Sequence, residues 1–130
     1  MDNNLVPYDP KKIELIKREG EMPLPYSNEI FLMDCHIAGT SYVDDMDALF
    51  PGLQIGQKLL LRREASNEHD GLAILVLTES NQKLGYIPRA QNEVVSRLLD
   101  AGKMLFGRIT FKEDEYGWKK IDIKVFMRDL

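Results

Sequence analysis

The chain has 130 residues, 44% of them apolar and 29% charged, which is the composition of one globular domain and excludes a disordered or fibrous chain. Its formal charge of −4 argues against a general polyanion binder, and its single cysteine, Cys35, excludes an internal disulfide. Charge is unevenly spread: residues 1–50 hold four basic and ten acidic side chains, and residues 51–130 hold thirteen basic and eleven acidic ones.

In chain order, the N-terminus has no basic start followed by an apolar stretch, and no run approaches the ~18 apolar residues of a spanning helix. The expectation is therefore a cytoplasmic protein with no membrane contact. Asp9 and Pro10 before KKIELIKRE, with Gly20 behind it, predict a short helix with a cap at each end. EMPLPYSNE then reads as an extended linker. Residues 1–29 are accordingly an N-terminal helical extension, and the domain proper spans 30–130.

From Ile30 the pattern becomes β. Ile30–Ala38 is a predicted strand ending at Gly39, followed by a long connection with a helical turn at Asp45–Leu49. Lys58–Glu64, Leu72–Leu77 and Lys83–Pro88 are further strands, the second apolar enough to be buried on both faces. Gln91–Ala101 has Val94, Val95, Leu98 and Leu99 at helical spacing before Gly102. Met104–Phe111 and Lys119–Met127 close the chain, joined through an acidic turn, KEDEYG. Short strands with one helix near their end predict a mainly β fold, a small, partly open OB-like (SH3/OB-type) β-barrel with one or two short helices.

Three polar clusters interrupt these strands: Gly39-Thr40-Ser41-Tyr42, Asn67-Glu68-His69-Asp70 and Gly85-Tyr86-Ile87-Pro88-Arg89. Each falls at a strand end, where a rigid scaffold presents loops. Turn chemistry alone explains Asn67 and Asp70, whose side chains bond their own backbone, and half-buried packing explains Tyr42 and Tyr86. Taken together they also supply stacking faces, hydrogen-bond partners and a cation. Catalysis is poorly served. Cys35 and His36 fall on opposite sides of a strand, with His36 expected buried, no nucleophile accompanies His69-Asp70, and no metal or phosphate-loop spacing occurs. The expectation is a binding module without catalytic residues, metal or cofactor. A single DNA strand suits this set, because aromatics stack its bases and cations follow its phosphates. A protein or peptide ligand, held in the barrel cleft or by the N-terminal helix, is the alternative that the negative charge favours.

The ordered set IAGTSYV, LLLRREASNEHDGLAILV, KLGYIPRAQNEVVSRLLDAG and IDIKVFM resembles the HIRAN domain over about Phe31 to Met127. That resemblance implies an OB-like barrel that binds the 3′ end of single-stranded DNA. The expectation built on it is a module recruited to repair, replication restart or DNA-related defence, with a helicase or nuclease as a protein partner. The resemblance implies that Asp70 lies at the terminal hydroxyl, that Asn67 and His69 share its pocket, and that Tyr42 stacks on a terminal base. It further assigns Tyr86 and Arg89 to the same site and Trp118 to a late stacking position; by its charge, Lys83 is expected to add a second phosphate contact beside Arg89. Three departures stand out: Ser41 where the helicase version carries a basic residue, His69 where tyrosine is common, and the acidic Glu113-Asp114-Glu115 close in sequence to Trp118, expected to repel a longer strand.

Overall fold

The structure, a computed structural model, describes residues 28–129; the predicted helix within residues 9–20 and the linker up to residue 27 lie outside them, while Asn28 and Glu29, expected in the linker, pair with Asp129 and Arg128 as the start of the first strand. Six strands form one antiparallel sheet: β1 (Asn28–His36), β2 (Lys58–Arg63), β3 (Ile74–Thr78), β4 (Lys83–Tyr86), β5 (Met104–Glu115) and β6 (Trp118–Asp129). Two α-helices, α1 (Met46–Leu49) and α2 (Asn92–Asp100), and 3-10 turns at Thr40–Tyr42, Phe50–Gly52 and Arg89–Gln91 fill the connections.

The sheet runs in the order β1-β6-β5-β2-β3-β4 and curls until its edges meet. At the seam Ala38, just past β1, exchanges both backbone hydrogen bonds with Tyr86, at 2.8 and 2.9 Å. Gly85 makes this closure possible. Its φ is +155°, and a Cβ there would collide with the Ala38 carbonyl oxygen and come within 2.6 Å of Ile37 Cγ2. The result is the partly open barrel expected from the strand count.

Alternation along the strands sends one set of side chains inward. Leu59 and Leu61, Ile74 and Val76, Ile109, and Ile121, Ile123 and Val125 are all buried in one core with Ile37, Leu84 and Val95. Cys35 points into that core while His36 is exposed, so the expected burial of His36 does not hold: its strand position faces outward. Burial, then the nearby Asp34 and Asp122 carboxylates, push the Cys35 thiol up to about 11.

Two elements differ from their sequence pattern. The acidic run Lys112–Glu115 is strand, not turn, and the β5–β6 reversal is only Tyr116-Gly117, both at positive φ. A two-residue turn of that kind matches the twist of the flanking strands. Asp114 secures it, accepting from the Gly117 N–H at 3.0 Å and from Lys119 Nζ at 2.9 Å. In α2, Val94 is 61% exposed while Asn92 and Ser96 are buried. The buried face of this helix packs Val95 into the core and presents Asn92 and Ser96 to the polar loop at 70–72.

Candidate nucleic-acid interface

The loop between β2 and β3 is built around Asn67. Its Oδ1 accepts the backbone N–H groups of His69 at 2.8 Å and Asp70 at 3.0 Å, closing a local turn. Its Nδ2 donates to Glu64 Oε1 at 2.8 Å, and Tyr86 Oη donates to that same oxygen at 2.6 Å. Glu64 therefore ties the loop to β4. The two donors, the tyrosine first, hold its carboxyl below the ordinary 4.5, while the carboxylate raises the Tyr86 phenol.

Asp70 is fixed from two sides. Its Oδ1 accepts the Leu72 N–H at 2.9 Å, and its Oδ2 accepts Nδ2 of Asn92 at 2.8 Å. These bonds, in that order, lower its carboxyl below the ordinary 3.8, with the positive charges of Arg89 and Arg63 adding to the effect. One turn further along α2, Ser96 Oγ donates to the Leu72 carbonyl at 2.6 Å. Asn92 and Ser96 lie four apart on one helix face, which is why both reach the same loop. Each Asp70 oxygen has accepted one bond, so the carboxylate retains lone pairs for a further donor.

Around this frame the remaining sequence candidates fall as follows. His69 and Arg89 are exposed, and among the described residues neither side chain makes a hydrogen bond or ion pair. Tyr42 is 88% exposed. The turn that carries it is anchored on one side by the Ala38–Tyr86 pair and on the other by Thr40 Oγ1, which donates to the Lys119 carbonyl at 2.8 Å. Tyr42 thus stands between β4, with Tyr86, and the start of β6, with Trp118. Trp118, 46% exposed, borders a separate shallow groove of about 490 Å³ shared with His36, Thr110, Lys120 and Asp122. Asn67, Asp70 and Tyr86 are joined by hydrogen bonds; Tyr42, His69 and Arg89 are arranged about them; Trp118 is not part of that network. Sequence reasoning missed Glu64, Asn92 and Ser96. The only available signal was the polar interruption of the helical pattern at positions 92 and 96.

The sequence profile of the HIRAN domain matches residues 30–128, nearly all of the described chain. The chain belongs to the HIRAN family. Its HIRAN domain is similar to the crystal structure of a protein from Lactobacillus plantarum, with 32% identity and a TM-score of 0.74 over 80% of this chain and 99% of that one. The crystal structure of the HIRAN domain of human HLTF superposes with a TM-score of 0.61 at 14% identity, covering 78% of this chain and 79% of that one. At that identity the likeness speaks for the fold. No curated protein sequence matches the chain. HIRAN domains are DNA-binding modules rather than catalytic ones. Among the described residues no helix is long and apolar enough to cross a membrane, and no three His, Cys, Asp or Glu side chains come together as a metal site.

Proposed function

We propose that this HIRAN domain is a non-catalytic module that holds the 3′-hydroxyl end of single-stranded DNA. The observation that carries the reading is Asp70: a carboxylate kept ionised by Leu72, Asn92 and nearby arginine charge, with lone pairs still open. A carboxylate repels phosphate but accepts a hydrogen bond from a hydroxyl, so it marks a strand terminus and not its interior. Tyr42 and His69 offer exposed rings for the last bases, Tyr86 forms the wall beyond Glu64, and Arg89 with Lys83 meets the adjacent phosphates. Trp118 extends the aromatic surface along the strand. The module acts in cytoplasmic DNA repair, replication restart or defence, alongside a helicase or nuclease that supplies the chemistry.

The test is fluorescence anisotropy with short labelled strands at modest salt, comparing a free 3′-hydroxyl, a 3′-phosphate, a strand with only its 5′ end accessible, and blunt duplex. The free hydroxyl is expected to bind tightest, and Asp70→Ala is expected to abolish its advantage over the phosphate. Equal binding of all four, or a parental preference retained by Asp70→Ala, refutes the assignment. Absence of binding to every DNA would direct the search to a peptide ligand.

A further inference from the structure

The outward face of the sheet carries a second pattern, visible only in the cross-strand register. Tyr86 lies opposite Leu75, which lies opposite Arg62. The next outward row runs Lys83, Leu77, Leu60, Phe106, Phe126, Phe31. The row after that is Lys58, Arg108, Lys124, Asp34. Three cations thus stand directly opposite one another on three adjacent strands. Like charges in that relation destabilise a sheet, so the fold alone does not favour the arrangement.

The aromatic row beneath holds these cations in place. Lys58 Nζ and the Arg108 guanidinium lie 5.2 and 5.3 Å from the Phe106 ring centre, with Arg128 at 5.6 Å on the same ring. Lys124 Nζ is 4.7 Å from the Phe31 ring. Their stems cover apolar surface while their heads stay in water. Partial neutralisation comes from Glu29, which pairs with Arg128 and Arg108 at 3.1 and 3.6 Å, and from Asp34, which pairs with Lys124 at 2.8 Å. Exposed pairs of this kind are weak, and a phosphate competes with them readily. Among the described residues Lys58, Arg62 and Lys83 have no carboxylate within ion-pair distance.

We infer that the cation row Lys58–Arg108–Lys124 binds internal phosphates of the same single DNA strand whose 3′ end sits at Asp70. The inference rests on the end-binding reading and extends it by giving the strand a path. The terminal loop joins the outward face through Glu64, which follows Lys58, Leu60 and Arg62 in the alternation of β2 and bonds both Asn67 and Tyr86; Arg62 and Lys58 are four residues apart, or roughly 13 Å at strand rise. Arg62 and Lys83 stand between the terminal loop and the row, so positive charge is continuous along the way. The chemistry recognised is the phosphodiester backbone, without regard to base.

The experiment compares 3′-hydroxyl strands of four and twelve nucleotides, by anisotropy, across 50 to 200 mM salt. The parent is expected to bind the longer strand tighter and with steeper salt dependence. A Lys58→Gln/Arg108→Gln/Lys124→Gln variant, checked for folding by circular dichroism, is expected to bind both lengths alike. Three lost phosphate contacts at about 0.7 each in salt slope make a difference of roughly 20-fold across that salt range. Glu29→Gln, which releases Arg108 and Arg128, is expected to strengthen the longer strand's binding. If the parent binds both lengths equally, or the triple variant weakens the four-nucleotide strand as much as the longer one, the path is overturned while end binding stands. If the parent binds neither strand, the end-binding reading falls and the path with it.

Discussion

Replacing Asn92 asks whether the Asp70 carboxylate is held for use or merely folded against its loop. The Asn92 side chain is 2% exposed and spends Nδ2 on Asp70 Oδ2 at 2.8 Å. Asn92→Ala removes that donor and lets water take its place beside a half-buried loop, a cost of about 1.5–2 kcal/mol, the lower part of the range for bonds to charged groups. In a domain of this size that lowers the melting midpoint by about 5–15 °C. Asp70 is then free to rotate, and the preference for a 3′-hydroxyl over a 3′-phosphate is expected to fall about tenfold, the worth of one oriented hydrogen bond. Asn92→Asp separates orientation from stability. Two carboxylates with facing oxygens repel each other, so the pair gives up its last proton with a raised apparent pKa and is doubly ionised only at the alkaline end. While that proton is bound, the new side chain donates an O–H to Asp70 as the amide did. Selectivity measured from pH 8 to pH 5 should therefore be low for Asn92→Asp at the alkaline end and recover on acidification, whereas Asn92→Ala stays low throughout. Identical profiles for the two variants, or a parental ratio in both, refute the positioning role.

Three further outcomes follow from particular contacts. Gly85→Ala drives a methyl into the Ala38 carbonyl at a positive φ, and overpacking with backbone strain together cost roughly 2–5 kcal/mol; thermal unfolding should show a loss of at least about 10 °C, and a change of a few degrees would mean the seam yields. Glu64 and Asp70 are depressed in the folded protein, so the unfolded chain binds more protons in acid: their stabilisation is present above the ordinary values of 4.5 and 3.8 and is lost as pH falls through the lowered ones. Melting midpoints between pH 7 and pH 2 should drop in that window, and Tyr86→Phe, which removes the main cause of the Glu64 shift, should flatten part of the drop; an unchanged profile counts against the bond. With its thiol pushed up to about 11, Cys35 is expected to react with a thiol reagent at pH 8 only on unfolding, and rapid labelling of the native protein would contradict its burial.

The strands and their order of appearance were legible because alternation and Gly, Asn and Asp at the breaks are local signals. The same is true of Asn67 and Asp70, since a side chain that folds its own loop announces itself within a few residues. Partners far along the chain give no such sign. Asn92 and Ser96 reach the 70–72 loop across 22 and 24 residues, and Glu64 meets Tyr86 across 22. Beyond the polar break at 92 and 96 in the helical pattern, nothing in the sequence names their partners; only the curl of the sheet brings α2 beside the β2–β3 connection. Tyr116-Gly117 was concealed for another reason: the charged run before it looks like a turn, yet Asp114 and Lys119 use those charges to pair across the hairpin.

The charge distribution then places a limit on how such a domain finds its ligand. A net charge of −4 provides no long-range attraction for DNA, and steering of that kind is what speeds encounter. Around the proposed terminus the positive charge is sparse, with Arg89 exposed beside a loop that also holds Glu64, Glu68 and Asp70. Under the proposed end-binding reading, binding there depends on short-range fit: hydrogen bonds to an oriented carboxylate and ring faces left open by Tyr42 and His69. Along the proposed path, the outward row at Lys58, Arg108 and Lys124 adds affinity only after a strand has been placed, because Glu29 and Asp34 beside it mute its field at a distance. A module working as proposed discriminates ends better than it captures them. That balance suits a domain presented with its strand by a partner already on the DNA, and it makes the ratio between ends, not the absolute affinity, the quantity that reports its function.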